Sequence, residues 1–288
     1  MKEDILISFV IPFYGSLSLL KRALDSLVAQ TDGGFEVIVV DDCSPENAES
    51  LVSRYDARFR YVRQPRNLGP YQGRLRGIEA AKGIYVADVD CDDYVLPGLV
   101  AELRKAASRH GADVIVYNVE QDVGGKIEPH WCRYEPGIYS PSEVMARLLA
   151  KRLQWNFWAK AIRRELFVQT WSRTPGLRTT RVLAPDDFCA IVPVILISGK
   201  IEVIPYVGHR YWQGDGSVCR GITGRKVRQA LRDTHEAEGL VLSFAETLGA
   251  SAKTHAQIRE MARMIRRWWL HELWVVFKRH VKTFLGGK

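Results

Sequence analysis

The chain has 288 residues, 47% apolar and 26% charged, which excludes a disordered or fibrous protein and leaves room for one large core, alone or with a smaller appendage. Its net charge of +8 is concentrated at the end, where eight Lys or Arg stand against two Glu between residues 256 and 288, so the basic character belongs to the tail. Cys43, Cys91, Cys132, Cys189 and Cys219 are widely spaced and lack a C-x-x-C pair, which argues against a disulfide framework or a zinc site. No stretch reaches the roughly 18 apolar residues of a membrane span, and Met1 to Asp4 leads into a strand without the features of a signal peptide, so a cytoplasmic location is expected.

Ile5 to Pro12 is a β-rich run with Phe13-Tyr14-Gly15 as its exit loop, and Ser16 caps an expected helix through Gln30 whose apolar stripe is Leu17, Leu20, Leu24, Leu27 and Val28. Phe35 to Val40 is a second strand stopping at Asp41-Asp42. Ser44-Pro45 then predicts an N-cap and a first-turn proline for the next helix. A strand over Arg58 to Val62, a turn at Asn67 to Pro70, a helix over Tyr71 to Ala81 and a strand over Ile84 to Val89 continue the alternation. Such spacing predicts an α/β protein with a doubly wound, mainly parallel sheet, in which ligands bind outside the carboxyl ends of the strands.

A helix over Pro97 to His110 and a strand over Asp113 to Val119 follow, with a hairpin turn at Gly124-Gly125, after which the simple alternation stops. Ser140-Pro141-Ser142-Glu143 has the form of a capping box opening a helix through Arg152. Beyond the aromatic stretch Trp155 to Trp158 come a short helix around Glu165 to Trp171, a mobile polar loop over Arg173 to Ala184, and an apolar helix opened by Asp186-Asp187 and running to Ser198. Ile201 to Ile204 is a short strand, Gly208 to Arg220 a loop, and the remainder helical.

The stretch Val86 to Asp93, V-A-D-V-D-C-D-D, carries Asp88, Asp90, Asp92 and Asp93 where a buried strand leaves the core. Like charges about 5 Å apart repel by roughly 3 kcal/mol per pair at an effective dielectric near 20, so the cluster needs a cation or shared protons. Oxygen-only ligands favour magnesium, manganese or calcium over zinc or copper.

Four segments, in order, resemble glycosyltransferase family 2, inverting enzymes with the GT-A fold that use nucleotide-diphospho-sugars. They are I-P-F-Y with L-D-S-L-V-A-Q-T after it, V-V-D-D-C-S-P-E, the run from Asn67 through Asp93, and P-D-D-F ending at Phe188. The likeness is close over residues 5 to 100, looser over 140 to 220, and absent from the tail. It implies that Asp42 reads the nucleobase, typically the N3–H of uracil, with Pro12 and Tyr14 lining the same pocket, and that Arg74 contacts the nucleotide. Asp90-Cys91-Asp92 aligns with the D-x-D motif: Asp90 would face the ribose and the metal, while Asp92 with Asp93 would hold a divalent cation, Mn²⁺ or Mg²⁺, against the diphosphate. Asp187 matches the catalytic base. Asp88 has no counterpart in the pattern and is either a partner behind the site residues or, as the favoured reading, a partly buried, satisfied aspartate. The family's usual Arg or His in the 208–220 loop is missing at its expected places, leaving His209, Arg210 or Arg220 as substitutes. Trp155, Trp158 and Lys160 resemble the acceptor-side region, where the aromatic faces could stack on sugar rings, although core packing explains the tryptophans equally well.

The resemblance implies transfer of a sugar, from a UDP-sugar in preference, to a glycan or lipid-linked acceptor in surface polysaccharide synthesis, by a glycosyltransferase domain over 1–220. Its nucleotide-sugar half would cover about 1–118 and its acceptor half about 119–220, with a helical extension over 221–288. From Lys253 to Leu285 a basic amphipathic helix places Ile258, Ala262, Ile265, Trp269, Leu273, Val276, Phe277 and Phe284 near one face. That face suits an anionic membrane surface, the catalytic core or a second subunit in a homodimer, and the sequence leaves these open. The alternatives are a nucleotidyltransferase, which would need a Gly-rich phosphate loop where Phe13 to Ser16 stands, and a non-catalytic membrane- or nucleic-acid-binding protein acting through the tail. No nucleic-acid partner is expected.

Overall fold

The computed structural model describes residues 6–130, 133–214 and 223–285, with side chains through 275. The chain alternates as expected through its first part: β1 (Ile7–Phe13), α1 (Leu17–Val28), β2 (Phe35–Asp41), α2 (Glu49–Val52), β3 (Phe59–Arg63), α3 (Pro70–Ala80), β4 (Tyr85–Asp88), β5 (Tyr94–Val95) and α4 (Leu99–His110). The later elements are β6 (Val114–Val123), β7 (Lys126–Pro129), β8 (Gly137–Tyr139), α5 (Pro141–Leu149), β9 (Lys160–Arg163) and α6 (Arg164–Arg173). They end with α7 (Gly176–Thr179), α8 (Asp186–Ile197), β10 (Ile201–Trp212), α9 (Gly224–Thr247) and α10 (Ala252–Leu285).

Among the described residues the strands form one sheet in the order β3-β2-β1-β4-β9-β6-β10-β5, with β7 paired to β6 and β8 to β10. β1 lies parallel to β2 and β4, and β2 parallel to β3. This is the doubly wound, mainly parallel sheet the spacing predicts, with a helical region at the C-terminal end. Helices cover both faces. Leu20, Ala23, Leu24 and Leu27 of α1, spaced at three and four residues, join α4 on one face. On the other, α3, α5, α6, α8, α9 and α10 share one apolar cluster. Each fully buried Leu, Val or Phe contributes about 1.5–3 kcal/mol relative to exposure. The capping box of α5 is complete: Ser140 Oγ accepts from the Glu143 N–H, and Glu143 Oε2 accepts from the Ser140 N–H.

The structure differs from the sequence reading at several places. Ser16 stands at the N-cap position of α1 but makes no side-chain cap bond, and Val28, read as part of that helix's apolar stripe, is exposed. β9 enters antiparallel between β4 and β6, so the sheet is mixed at its centre; its four residues are too few for a periodic signal. β10 runs on to Trp212 where a loop was expected, because the register shifts between Val203 and Val207 let the strand pass Pro205. Ser44 does not cap a helix. Its hydroxyl accepts from the Gly15 N–H at 3.2 Å and its own N–H donates to Asp41 at 2.7 Å, and α2 starts only at Glu49. The segment over 173–184 is built in rather than loose: Leu177 and Val182 are buried, and the carbonyls of Leu177 and Thr180 accept from Tyr71 and Gln72.

Candidate active site

The parallel strands β1, β2 and β4 bring their carboxyl ends to one edge, with Phe13 beside Asp41 and Val10 beside Asp88. The helix over that edge, α3, lies unusually close to β1. A Cβ at Gly77 would stand 2.2 Å from Val10 Cγ1, so only glycine permits the approach there, and one at Gly73 would meet Pro12 Cβ at a tight 3.3 Å. Arg74, on the turn between them, is thereby carried into the sheet edge and is 6% exposed.

Its guanidinium meets three carboxylates: Nε lies 3.1 Å from Asp88, Nη2 2.5 Å from Asp90, and Nη1 2.6 Å from Asp186. The ring of Phe157 lies under it, 5.2 Å from the guanidinium carbon. Burial works against the charge of Arg74, but Asp88, Asp90 and Asp186 more than restore it, so the side chain holds its proton more tightly than usual. Asp88 is pushed up to about 7 by burial, against the pull of Arg74, and its Oδ1 has no partner among the described residues. Asp88 is thus an ion-pair partner inside the site, with one oxygen unsatisfied. Nothing local in the sequence marked this, because the partner sits on another element.

Asp186 and Asp187 open α8, as expected. Asp187 Oδ1 accepts from the Phe157 N–H at 3.0 Å, so its position is set by the same residue whose ring supports Arg74. Burial, reinforced by Asp186, pushes Asp187 well above the usual carboxylate range, while Arg74 pulls it down. A carboxylate with a raised pKa is suited to take a proton from a hydroxyl. Asp186 is likewise raised by burial and restrained by Arg74.

Just past the end of β2, Asp42 is buried and accepts from the Gln64 amide and the Leu68 N–H at 2.7 Å each, and from the Gly69 N–H at 2.8 Å. Burial raises its pKa against those donors. Its own N–H donates to the carbonyl of Phe13, which joins it to the loop carrying Pro12 and Tyr14. The Tyr14 ring is 51% exposed and its N–H reaches the Cys91 thiol, so the exit of β1 also borders the Asp90–Asp92 turn. Pro12, Tyr14, Asp42, Arg74, Asp90 and Asp92 therefore share one rim.

Asp93, expected at the metal, has its two carboxylate oxygens bound by protein: Oδ2 lies 2.7 Å from His209 Nε2, and Oδ1 accepts from the Trp212 N–H at 2.9 Å. Burial, with Asp90 and Asp92 nearby, pushes Asp93 well up, and burial pushes the His209 imidazole down to about 4, so that ring is neutral at physiological pH. His209 is fully buried and stacks on Trp158, with ring centroids 5.3 Å apart, and Trp158 stacks in turn on Tyr211 at 5.8 Å. It is a structural partner of Asp93, not an open diphosphate ligand. Arg210 pairs with Glu120 at 2.8 Å, and Arg220 lies outside the described residues. Trp155 meets Phe188 edge-on, and Lys160 is buried with its ammonium on the carbonyls of Asn156 and Trp158. Packing accounts for much of the surroundings of all three.

Among the described residues no cluster of three or more His, Cys, Asp or Glu is arranged to hold a metal ion. The hard oxygen donors at the rim, Asp90 and Asp92, still suit Mg²⁺ or Mn²⁺, since such ions commonly rest on one or two carboxylates together with substrate phosphates. Asp93 does not fit that role with its oxygens so engaged. Among the described residues, no helix is long and apolar enough to cross a membrane.

The family model described as "Glycosyl transferase family 2" matches residues 8–187. The chain belongs to glycosyltransferase family 2. That membership favours the glycosyltransferase reading over the nucleotidyltransferase one. This family 2 chain is 32% identical to glycosyltransferase GlyG of Streptococcus pneumoniae, over 75% of its own length and 73% of that protein. It is 29% identical to the succinoglycan biosynthesis protein ExoO of Rhizobium meliloti, over 74% of its length and 62% of that protein. It is 30% identical to the uncharacterized glycosyltransferase EpsJ of Bacillus subtilis, of which it spans 49%. The chain thus covers less than two thirds of ExoO and of EpsJ. Its fold matches S. aureus TarS 1-349 in complex with UDP-GlcNAc with a TM-score of 0.61 at 18% identity, over 89% of this glycosyltransferase chain and 79% of that one. The structural likeness reports the GT-A fold.

Proposed function

We propose that this protein moves one sugar, with inversion, from a nucleotide-diphospho-sugar to a hydroxyl of a glycan or lipid-linked acceptor. The observation that carries the reading is the Arg74 bridge, which joins Asp90 of the D-x-D turn to Asp186, the neighbour of Asp187. The donor side and the base side of the rim thereby share one cation. UDP is the favoured nucleotide: Asp42 is an acceptor-only group suited to a base edge that presents an N–H, with lone pairs left beside the three protein donors it already accepts, and its own N–H joins it to the loop that carries Tyr14. The ExoO relative is named for succinoglycan biosynthesis, which supports a role in building a polysaccharide, and TarS has been captured with UDP-GlcNAc, which supports a UDP-sugar donor.

Inversion requires the acceptor hydroxyl to lose its proton on the face opposite the departing diphosphate. Asp187, fixed by the Phe157 N–H, receives that proton. Arg74 offsets part of the charge of Asp88, Asp90 and Asp186 and draws Asp187 toward its ionised form. Asp90 and Asp92 would hold a divalent cation, whose chemistry there is to neutralise charge on the leaving nucleoside diphosphate. Asp93 and His209 tie the turn to β10 and keep those two carboxylates at the rim.

Calorimetric titration with UDP, GDP, CDP and dTDP, each with and without manganese, tests the donor half of this reading. Binding of one diphosphate that needs both manganese and Asp92 is the expected result, followed by sugar transfer with inverted anomeric configuration by NMR. Failure of every diphosphate to bind would overturn it.

A further inference from the structure

The apolar stripe of α10 is already used inside the molecule. Ile258, Met261, Ala262 and Ile265 are buried in the cluster that also holds Ala237, Val241, Phe244 and Ala245 of α9, and Arg266 pairs with Glu238 at 2.6 Å. Of the residues read from the sequence as the apolar face of this helix, Ile258, Ala262, Ile265 and Trp269 pack on the core, and Val276, Phe277 and Phe284 lie outside the described side chains. Along the described part of the helix an outside partner must therefore meet a different face.

That face can be read from the spacing. Arg263, Arg267, Leu270 and Trp274 follow at intervals of four, three and four residues, which aligns them along one side of a helix with 3.6 residues per turn, opposite Ile258, Met261 and Ile265. Leu270 is 53% exposed and Trp274 52%, with Trp268, 50% exposed, on the flank. The side chains of Arg263 and Arg267 are 52% and 71% exposed, and both reach Glu260, which one acid cannot fully neutralise. Both of the tryptophans that are largely exposed among the described residues stand on this one helix.

We propose that this outward face of α10 docks on an anionic lipid surface, with Leu270 and Trp274 entering the headgroup boundary and Arg263 and Arg267 meeting lipid phosphates. A tryptophan has an apolar body and a polar edge, and an arginine can lay its stem on apolar surface while its head stays at the interface, which is the composition of a helix lying in a membrane plane. Charge decides against the other occupants. A second copy would set its own arginines against these, and the sequence from 256 to 288 adds further basic residues with only two acids, which complements negative headgroups and repels itself.

The test is flotation of the full chain with vesicles of phosphatidylcholine alone and with a third phosphatidylglycerol, at low and high salt. The wild type floats with the anionic vesicles and is released by salt. Leu270→Ser with Trp274→Ser lowers the partition at least tenfold. Arg263→Gln with Arg267→Gln lowers it by about fivefold per arginine and flattens the salt dependence. Far-ultraviolet circular dichroism and thermal unfolding of both variants verify that the fold is intact, and light scattering gives the oligomeric state. Equal flotation of wild type and the Leu270 and Trp274 variant, or no flotation of the wild type, overturns the proposal. So does a dimer that the same variant dissolves without vesicle binding, which would assign the face to a second copy.

Discussion

Arg74 Nη1 lies 2.6 Å from Asp186 Oδ2, a contact between residues 112 positions apart in the chain. It makes one guanidinium the junction between the turn after β4 and the first turn of α8. Because the same guanidinium also holds Asp88 and Asp90, its removal strands three acidic groups at once. Arg74→Met is expected to destabilise the protein by about 3–5 kcal/mol, the usual cost of leaving a buried charge without its partner. Arg74→Lys should fold better yet lose at least tenfold in turnover, since an ammonium cannot span three carboxylates in a fixed plane. Urea unfolding followed by circular dichroism, with turnover measured on the lysine variant, checks both. Full activity in Arg74→Lys would remove the bridge from the mechanism.

Asp187 is assigned the proton from the acceptor. Asp187→Asn preserves shape and the contact with the Phe157 N–H while removing basicity, so transfer should fall by about 10²–10⁴-fold with UDP affinity nearly unchanged. Single-turnover kinetics with calorimetry on the same sample separates the two effects. Turnover within a few-fold of wild type would assign the base elsewhere.

The pH dependence follows from the same residue. Burial and Asp186 raise its pKa, and only the ionised form accepts a proton. The acid limb of kcat/KM should therefore fall as pH drops through a value above the usual aspartate range of about 4. A limb at or below 4 would show a base that feels neither burial nor Asp186.

Asp92 and Asp93 are adjacent in sequence but have different surroundings, so their substitutions should separate. Asp92→Ala is expected to abolish the manganese-dependent part of UDP binding. Asp93→Asn should retain it while lowering stability by about 1–3 kcal/mol, because it disturbs the buried contacts with His209 and Trp212. Titration with and without manganese, together with thermal unfolding, distinguishes them. Loss of manganese dependence in Asp93→Asn without loss of stability would return Asp93 to the metal.

Gly77→Ala probes the close approach of α3 to β1. The new methyl would lie 2.2 Å from Val10 Cγ1, so the helix must shift outward and carry Arg74 with it. Overpacking of this kind costs about 1–3 kcal/mol. Turnover should fall in the same variant, and an unchanged melting temperature would show that the interface yields without strain.

Much of this arrangement was legible before any tertiary contact was known. The order of β1 to β4, the stripe of α1, the capping box of α5 and the acids at the strand ends all follow from local periodicity, caps and a buried strand's intolerance of charge before its end. The family resemblance pointed to the same rim. Elements that depend on distant chain were not legible in this way. β9 is too short to show a period and owes its place to β4 and β6, and β10 passes Pro205 only because β6 lies alongside it. Likewise, a buried arginine and an exposed one look alike in sequence; Arg74 is identified by Asp88, Asp90 and Asp186 arriving from two other places. The apolar stripe of α10 announces burial without naming the partner, and α9 with the core claims it. Periodicity reports that a surface must be covered, because apolar area leaves water at a fixed gain per unit area whatever covers it. Which surface does the covering, and which carboxylate meets which cation, is decided by the order of strands in the sheet and the approach of the helices to it.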